Sequence, residues 1–108
     1  MPSQYSVVDY AAITVANSAG TILGLASISL PTSAKSFVGT LETAPIRARG
    51  DGTSPTTSEG VLLNAGDTIV LSESEINNME FIRTTSTSGV IRGHFYSIEA
   101  TAFSSGGS

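Results

Sequence analysis

The chain has 108 residues, enough for one domain that buries roughly two-thirds of the surface its unfolded form exposes. Charged residues make up 13% of it, about half the usual share, and the net charge is −4, which excludes non-specific binding to a phosphate backbone. There is no cysteine, which excludes a disulfide framework, a thiolate metal site and a cysteine nucleophile.

The first fifteen residues, MPSQYSVVDYAAITV, have no basic leader and no long apolar core, unlike a secretory signal. Residues 6–10 and 12–15 read as two short extended segments, with 1–10 serving as an N-terminal arm or edge strand. Asn17-Ser18-Ala19-Gly20 is a turn signal. In residues 21–30 the apolar Ile22, Leu23, Leu25, Ile28 and Leu30 fit no single period, and the expectation is a short strand followed by irregular chain up to Pro31. Gly24, Ser27 and Ser29 interrupt this longest apolar-looking run, and no stretch approaches the ~20 apolar residues of a membrane span. The expected protein is made in the cytoplasm and stays soluble until it meets a partner.

Residues 36–42 alternate Phe37, Gly39 and Leu41 against Val38 and Thr40, a strand buried on at least one face. Gly39 in its middle signals a bulge or a close approach. Residues 46–49 alternate apolar Ile46 and Ala48 with basic Arg47 and Arg49, and Asp51-Gly52-Thr53-Ser54-Pro55-Thr56 stops that strand with turn residues. Extended structure resumes at 61–63, turns at Asn64-Ala65-Gly66-Asp67 and continues as the β-branched run 68–71. Residues 72–78, SESEINN, are the single predicted helical turn, because Ser72 and Glu75 have capping-box spacing. Residues 79–84 and 90–100 read as two strands of a hairpin with a longer loop between them. The end, 103–108, closes in SSGGS and reads as a flexible tail.

Short strands separated by turn signals predict an all-β fold, a small antiparallel β-sandwich, jelly-roll-like, over residues 11–102 with at most one short helical turn. Strands this poor in charge leave unguarded edges, so a homo-oligomer, or docking on a larger assembly, is the physical expectation.

The run ETAPIRARGDGTSPTTSEGVLLNAGDTIVL, followed by MEFIRTTSTSGVIRGHFY, resembles a family of small proteins from tailed-bacteriophage genomes. The shared pattern is ETxPIRxRxDGTxPTxxxGxLLxAGD, here from Glu42 to Asp67, and then FIRxxxxSGxI, here from Phe81 to Ile91. Where members have Tyr or Leu around the second arginine, this chain has the smaller Ala48 and Gly50. The resemblance implies a structural protein of the virion, foremost a capsid decoration (cement) protein on the capsid surface, with the major capsid protein and copies of itself as partners. A neck, tail or fibre-base component is the alternative within the particle, and a carbohydrate- or receptor-binding module is the alternative of another class.

Candidate chemistry is sparse. Arg49-Gly50-Asp51 spells an adhesion tripeptide at a turn, but so short a word arises easily by chance, and strand end and turn are the favoured account of it. His94 is the only histidine, so the histidine cluster of a cupin-like metal enzyme is absent and no metal is expected. Asp51, Glu59 and Asp67 could supply a carboxylate pair, and Asp51 with Thr53 could offer oxygens to Ca²⁺, but all lie at turns where such groups solvate or cap. No activating base or buried partner can be named, and neither enzymatic activity nor a cofactor is expected. The arginines Arg47, Arg49, Arg83 and Arg92 fall on predicted strands. They either pair with Glu42, Glu80 or Glu99 across strands or reach a partner subunit. These four, with Tyr5 and Tyr10 of the N-terminal arm, are the candidate interface residues.

Overall fold

The computed structural model describes residues 7–98. Seven strands and two helices follow in the order β1 (Val7–Val15), α1 (Ile22–Ala26), β2 (Ser36–Glu42), β3 (Ile46–Arg49), β4 (Val61–Leu63), β5 (Thr68–Ser72), α2 (Glu73–Asn78), β6 (Glu80–Arg83) and β7 (Gly89–Tyr96). They form two antiparallel sheets, one ordered β1-β7-β2-β5 and the other β4-β3-β6. This is the small, all-β, two-sheet fold expected from the sequence. Its split into four and three strands makes it smaller than an eight-stranded jelly roll.

Alternation decides which side chains go inside. Along the larger sheet Ala11, Ile13 and Val15 of β1, Phe37 and Leu41 of β2, Ile69 and Leu71 of β5, and Ile91 and Phe95 of β7 all project to one buried face. Ile46 and Ala48 of β3 and Phe81 of β6 meet them from the smaller sheet, and Ile22 and Ile76 join from the helices. Phe37 and Phe95 are register partners, with ring centroids 5.0 Å apart and planes tilted by 59°.

The helical content corrects the expectation of a single helical turn. The segment 21–30 contains α1 rather than a strand. Thr21 caps it, its hydroxyl accepting a 3.1 Å hydrogen bond from the Gly24 amide. Ser27, at φ 58°, ends it in the left-handed conformation, with the Ser27 amide donating to Gly24 and the Ile28 amide to Leu23. That pair of bonds is a Schellman ending, a role usually signalled by glycine. The second helix, α2, carries the expected capping box: the Ser72 hydroxyl accepts from the Glu75 amide at 3.2 Å, and the Glu75 carboxylate accepts from the Ser72 amide at 2.9 Å. α1 packs on β1, α2 packs on β2 and β5, and the helices touch each other, so together they bridge the two outer strands of the larger sheet.

Two further expectations change, and one that offered two alternatives is resolved. The two N-terminal segments fuse into the single nine-residue β1, and residues 7–10 of the proposed arm are edge strand, while residues 1–6 lie outside the described residues. Gly39 marks a close approach and not a bulge, because β2 keeps an unbroken register with both neighbours; the irregularity falls in β1, between Val7 and Asp9. β6 and β7 are no hairpin. β6 pairs with β3 in the small sheet, and β7 pairs with β1 and β2 in the large one. Gly20 occupies the other edge of β6, exchanging both backbone hydrogen bonds with Phe81, so β7 has no place beside it. The tail 103–108 lies outside the described residues.

The chain crosses between sheets at tight turns. From β2 to β3, the Ala44 amide donates to the Glu42 carbonyl across Thr43, whose φ is 82°. From β4 to β5, Gly66 at φ 101° permits the turn, and the Asp67 carboxylate accepts from the Asn64 amide at 2.8 Å.

Candidate functional site: the open face of the larger sheet

The face of the larger sheet opposite the core follows from register. Tyr10, His94, Val38 and Val70 form one cross-strand row; Ala12, Arg92, Thr40 and Thr68 form the next; Thr14, Val90 and Glu42 form a third. Among the described residues no layer covers these rows: Ala12, Thr14, Thr40, Arg92 and His94 are all exposed, and Tyr10 is 52% exposed. One end is closed, where Ser36 is fully buried and its hydroxyl donates to the Ile98 carbonyl at 2.7 Å.

Three rings cluster on this face. Tyr10 and His94 lie 5.5 Å apart between centroids, and His94 and Tyr96 6.2 Å apart, both edge to face. Beside them the Arg92 guanidinium donates to the Glu42 carboxylate at 3.0 Å, on the diagonal of the ladder between β7 and β2. Hydrogen bonding to Tyr10, and then to Glu42, raises the Arg92 pKa above its ordinary value. The pair is half-exposed and screened by solvent, so it orients the guanidinium more than it stabilises the fold. The face is therefore neutral overall, rich in aromatic and β-branched groups, and carries one matched pair of charges. Exposed tyrosine beside an arginine, with no lysine and few other charges, is in keeping with a protein interface.

Of the candidate interface residues, the structure brings together Tyr10 and Arg92. Tyr5 lies outside the described residues. Arg47, Arg49 and Arg83 belong to the smaller sheet and are engaged within the chain. Arg47 is half-buried and holds the segment after β3, donating to the Thr57 carbonyl at 3.1 Å and the Gly60 carbonyl at 2.9 Å. That segment doubles back against the outer side of the small sheet: Pro55 is buried, Gly60 approaches the Ala48 carbonyl, and Ser54 donates to Glu80 at 2.6 Å. Arg83 donates to the Ser88 hydroxyl at 3.2 Å. With Lys35 at 3.7 Å from Glu73, every one of the five basic residues has a partner in its own chain.

Arg49 and Asp51 pair with each other through two hydrogen bonds of 2.8 and 3.1 Å. The pairing raises the Arg49 pKa and lowers that of Asp51, whose carboxylate also accepts from the Thr53 amide. An adhesion tripeptide offers its cation and its anion separately to a receptor; here each neutralises the other. A cavity of about 400 Å³ opens at this pair, lined also by Ala48, Glu59, Gly60, Val61 and Met79. Among the described residues, no three of His, Asp, Glu or Cys come together as a group that could hold a metal ion. Of the turn carboxylates, Asp51 and Glu59 border the same cavity, with Asp51 committed to Arg49, while Asp67 caps its own turn.

The period-2 pattern of β7 places Arg92, His94 and Tyr96 on one face without any structure. Val38, Val70 and Ala12 join them only through strand pairing, for which local sequence carries no signal. Comparison with protein-family models, curated proteins and solved structures returned no match for this chain.

Proposed function

We propose that this chain is a structural protein of a tailed-bacteriophage particle, a decoration protein that binds the assembled capsid through the open face of its larger sheet. The observation that carries this reading is that face itself: a neutral, aromatic-bearing surface that no described layer covers, on a domain whose basic residues all have partners within the chain. A surface of this kind suits a protein partner better than nucleic acid, which would need unpaired cations. The phage-like pattern from Glu42 onward supplies the class of partner, the major capsid protein. Binding the assembled lattice and not free subunits raises lattice stability by mass action, which is the action of a cement.

The test is the copy number of this chain in purified particles, by quantitative mass spectrometry against the major capsid protein. A ratio simply related to the capsid subunit count supports decoration. A number on the order of a dozen moves the chain to a neck or tail ring. Absence from the particle ends the virion reading. The Tyr10, His94 and Tyr96 rings favour carbohydrate binding as the second reading, but they meet edge to face and present no common plane for a sugar ring to stack on. Glycan-array binding abolished by Tyr10→Ala would select it.

A further inference from the structure

We propose that β4 is a self-association edge, where a second copy of this chain adds its own β4 antiparallel to the first and joins two small sheets into one of six strands. This deepens the reading of an assembly protein by naming where copies meet.

β4 stands at the end of its sheet and, among the described residues, pairs only with β3. An edge strand presents unpaired amide and carbonyl groups along its free side, and proteins ordinarily guard such edges. The other edges here are guarded. β1 has an irregularity between Val7 and Asp9 with a carboxylate at that point, β6 is bridged by Gly20, and β5 runs directly into α2, which packs against it. β4 is Val61-Leu62-Leu63, with no charge, no proline and no irregularity in its register. It is also apolar on both sides. Val61 faces the same way as the buried Ala48 yet is 67% exposed, because the sheet stops there. Leu62 points to the opposite side and is 46% exposed.

The occupant is chosen by self-complementarity. A two-fold axis through Leu62 sets Leu62 opposite its own copy and Val61 opposite Leu63 of the second copy, so every pair in the ladder is apolar. The same register sets Gly60 opposite Asn64, Glu59 opposite Ala65 and Asp67 opposite Thr57, so no carboxylate faces another. The strand added beside Val61 also extends the apolar wall of the cavity that Val61 and Met79 line. The ladder spans only about 10 Å, and an interface this small associates weakly and reversibly.

Sedimentation velocity of the purified full chain, from about 10 μM to about 1 mM, reads the equilibrium over the range where a small interface associates. The expected result is a concentration-dependent dimer, with greater amide-exchange protection of residues 61–63 at the higher concentration. Val61→Lys and Leu62→Lys each weaken association by roughly tenfold or more, and Tyr10→Ala, on the open face of the other sheet, leaves it unchanged. A protein that stays monomeric throughout, or a dimer that forms without protecting 61–63 or that survives both lysine variants, overturns the proposal. No particle is needed. A monomer found at capsid stoichiometry would overturn this edge and leave the decoration reading intact, and a dimer absent from particles would do the reverse.

Discussion

Gly39 and Gly93 stand opposite each other across β2 and β7, at a crossing where neither strand has room for a side chain. A Cβ on Gly93 would overlap the Val38 carbonyl, and one on Gly39 would lie 2.8 Å from the Arg92 carbonyl. The Phe37 ring covers Gly39, its edge 2.9 Å from where that Cβ would be. The two central strands thus meet backbone to backbone here, and a ring of β2 itself, Phe37, covers the place where Gly39 has no side chain.

Gly93→Ala should therefore cost on the order of 3 kcal/mol, since the obstacle is backbone that cannot rotate away. Gly24→Ala is the contrast: its Cβ would meet only the Thr21 hydroxyl at an ordinary 3.4 Å, at an exposed position of α1. It should raise stability by roughly 0.5 kcal/mol through helix propensity. Urea unfolding of both variants checks the pair.

Arg47→Ala should release the segment between β3 and β4. Removing the guanidinium leaves two carbonyls, of Thr57 and Gly60, without their donors, at a cost of about 1–2 kcal/mol. Arg47→Lys should recover little, because one ammonium does not reproduce the two-donor fork. Faster amide exchange across residues 54–60, with β7 unchanged, is the expected signature.

Ser72→Ala should destabilise the protein by about 1 kcal/mol by removing the N-cap of α2. Glu75→Gln should be milder, since an amide oxygen can still accept from the Ser72 amide. Thermal denaturation of the two variants side by side separates the contributions.

Thr43→Gly should stabilise by about 1 kcal/mol, because a β-branched residue at φ 82° is strained and glycine is not. The Ala44-to-Glu42 hydrogen bond across it has the form of a tight γ-turn. A fall in melting temperature would show that the threonine side chain does something the strain argument omits.

Asp51 should titrate below an ordinary aspartate, held down first by its hydrogen bond from Arg49. A folded pKa below the unfolded one contributes stability that is present above the unfolded value and lost as pH falls through the folded one. The group is solvent-exposed, so the effect on unfolding is small and the carboxyl chemical shift is the better readout. In Arg49→Ala its midpoint should move up towards the ordinary value.

The sequence by itself determined the class of fold and the identity of most elements. Alternation in residues 36–42 and 46–49 is legible because a strand half in water repeats every two residues, and the last strand, read as 90–100, is found at 89–96. The cap at Ser72 and the turn at Asn64–Asp67 were equally legible, since each is made by side chains binding backbone within three residues. The helix α1 was not, because a serine ends it where glycine is the usual signal, and its apolar residues serve a core defined by distant strands. Pairing was beyond local reading as well. Nothing near β6 or β7 says that they belong to different sheets; that is decided by Gly20 closing one edge and by the fit of Gly93 against Gly39. The rings of Tyr10 and His94, 84 positions apart in the chain by subtraction of their numbers, meet only because β1 and β7 align, so the fold assembles the open face around the row that β7 alone announces. Its makers are long-range contacts whose energy no single segment contains.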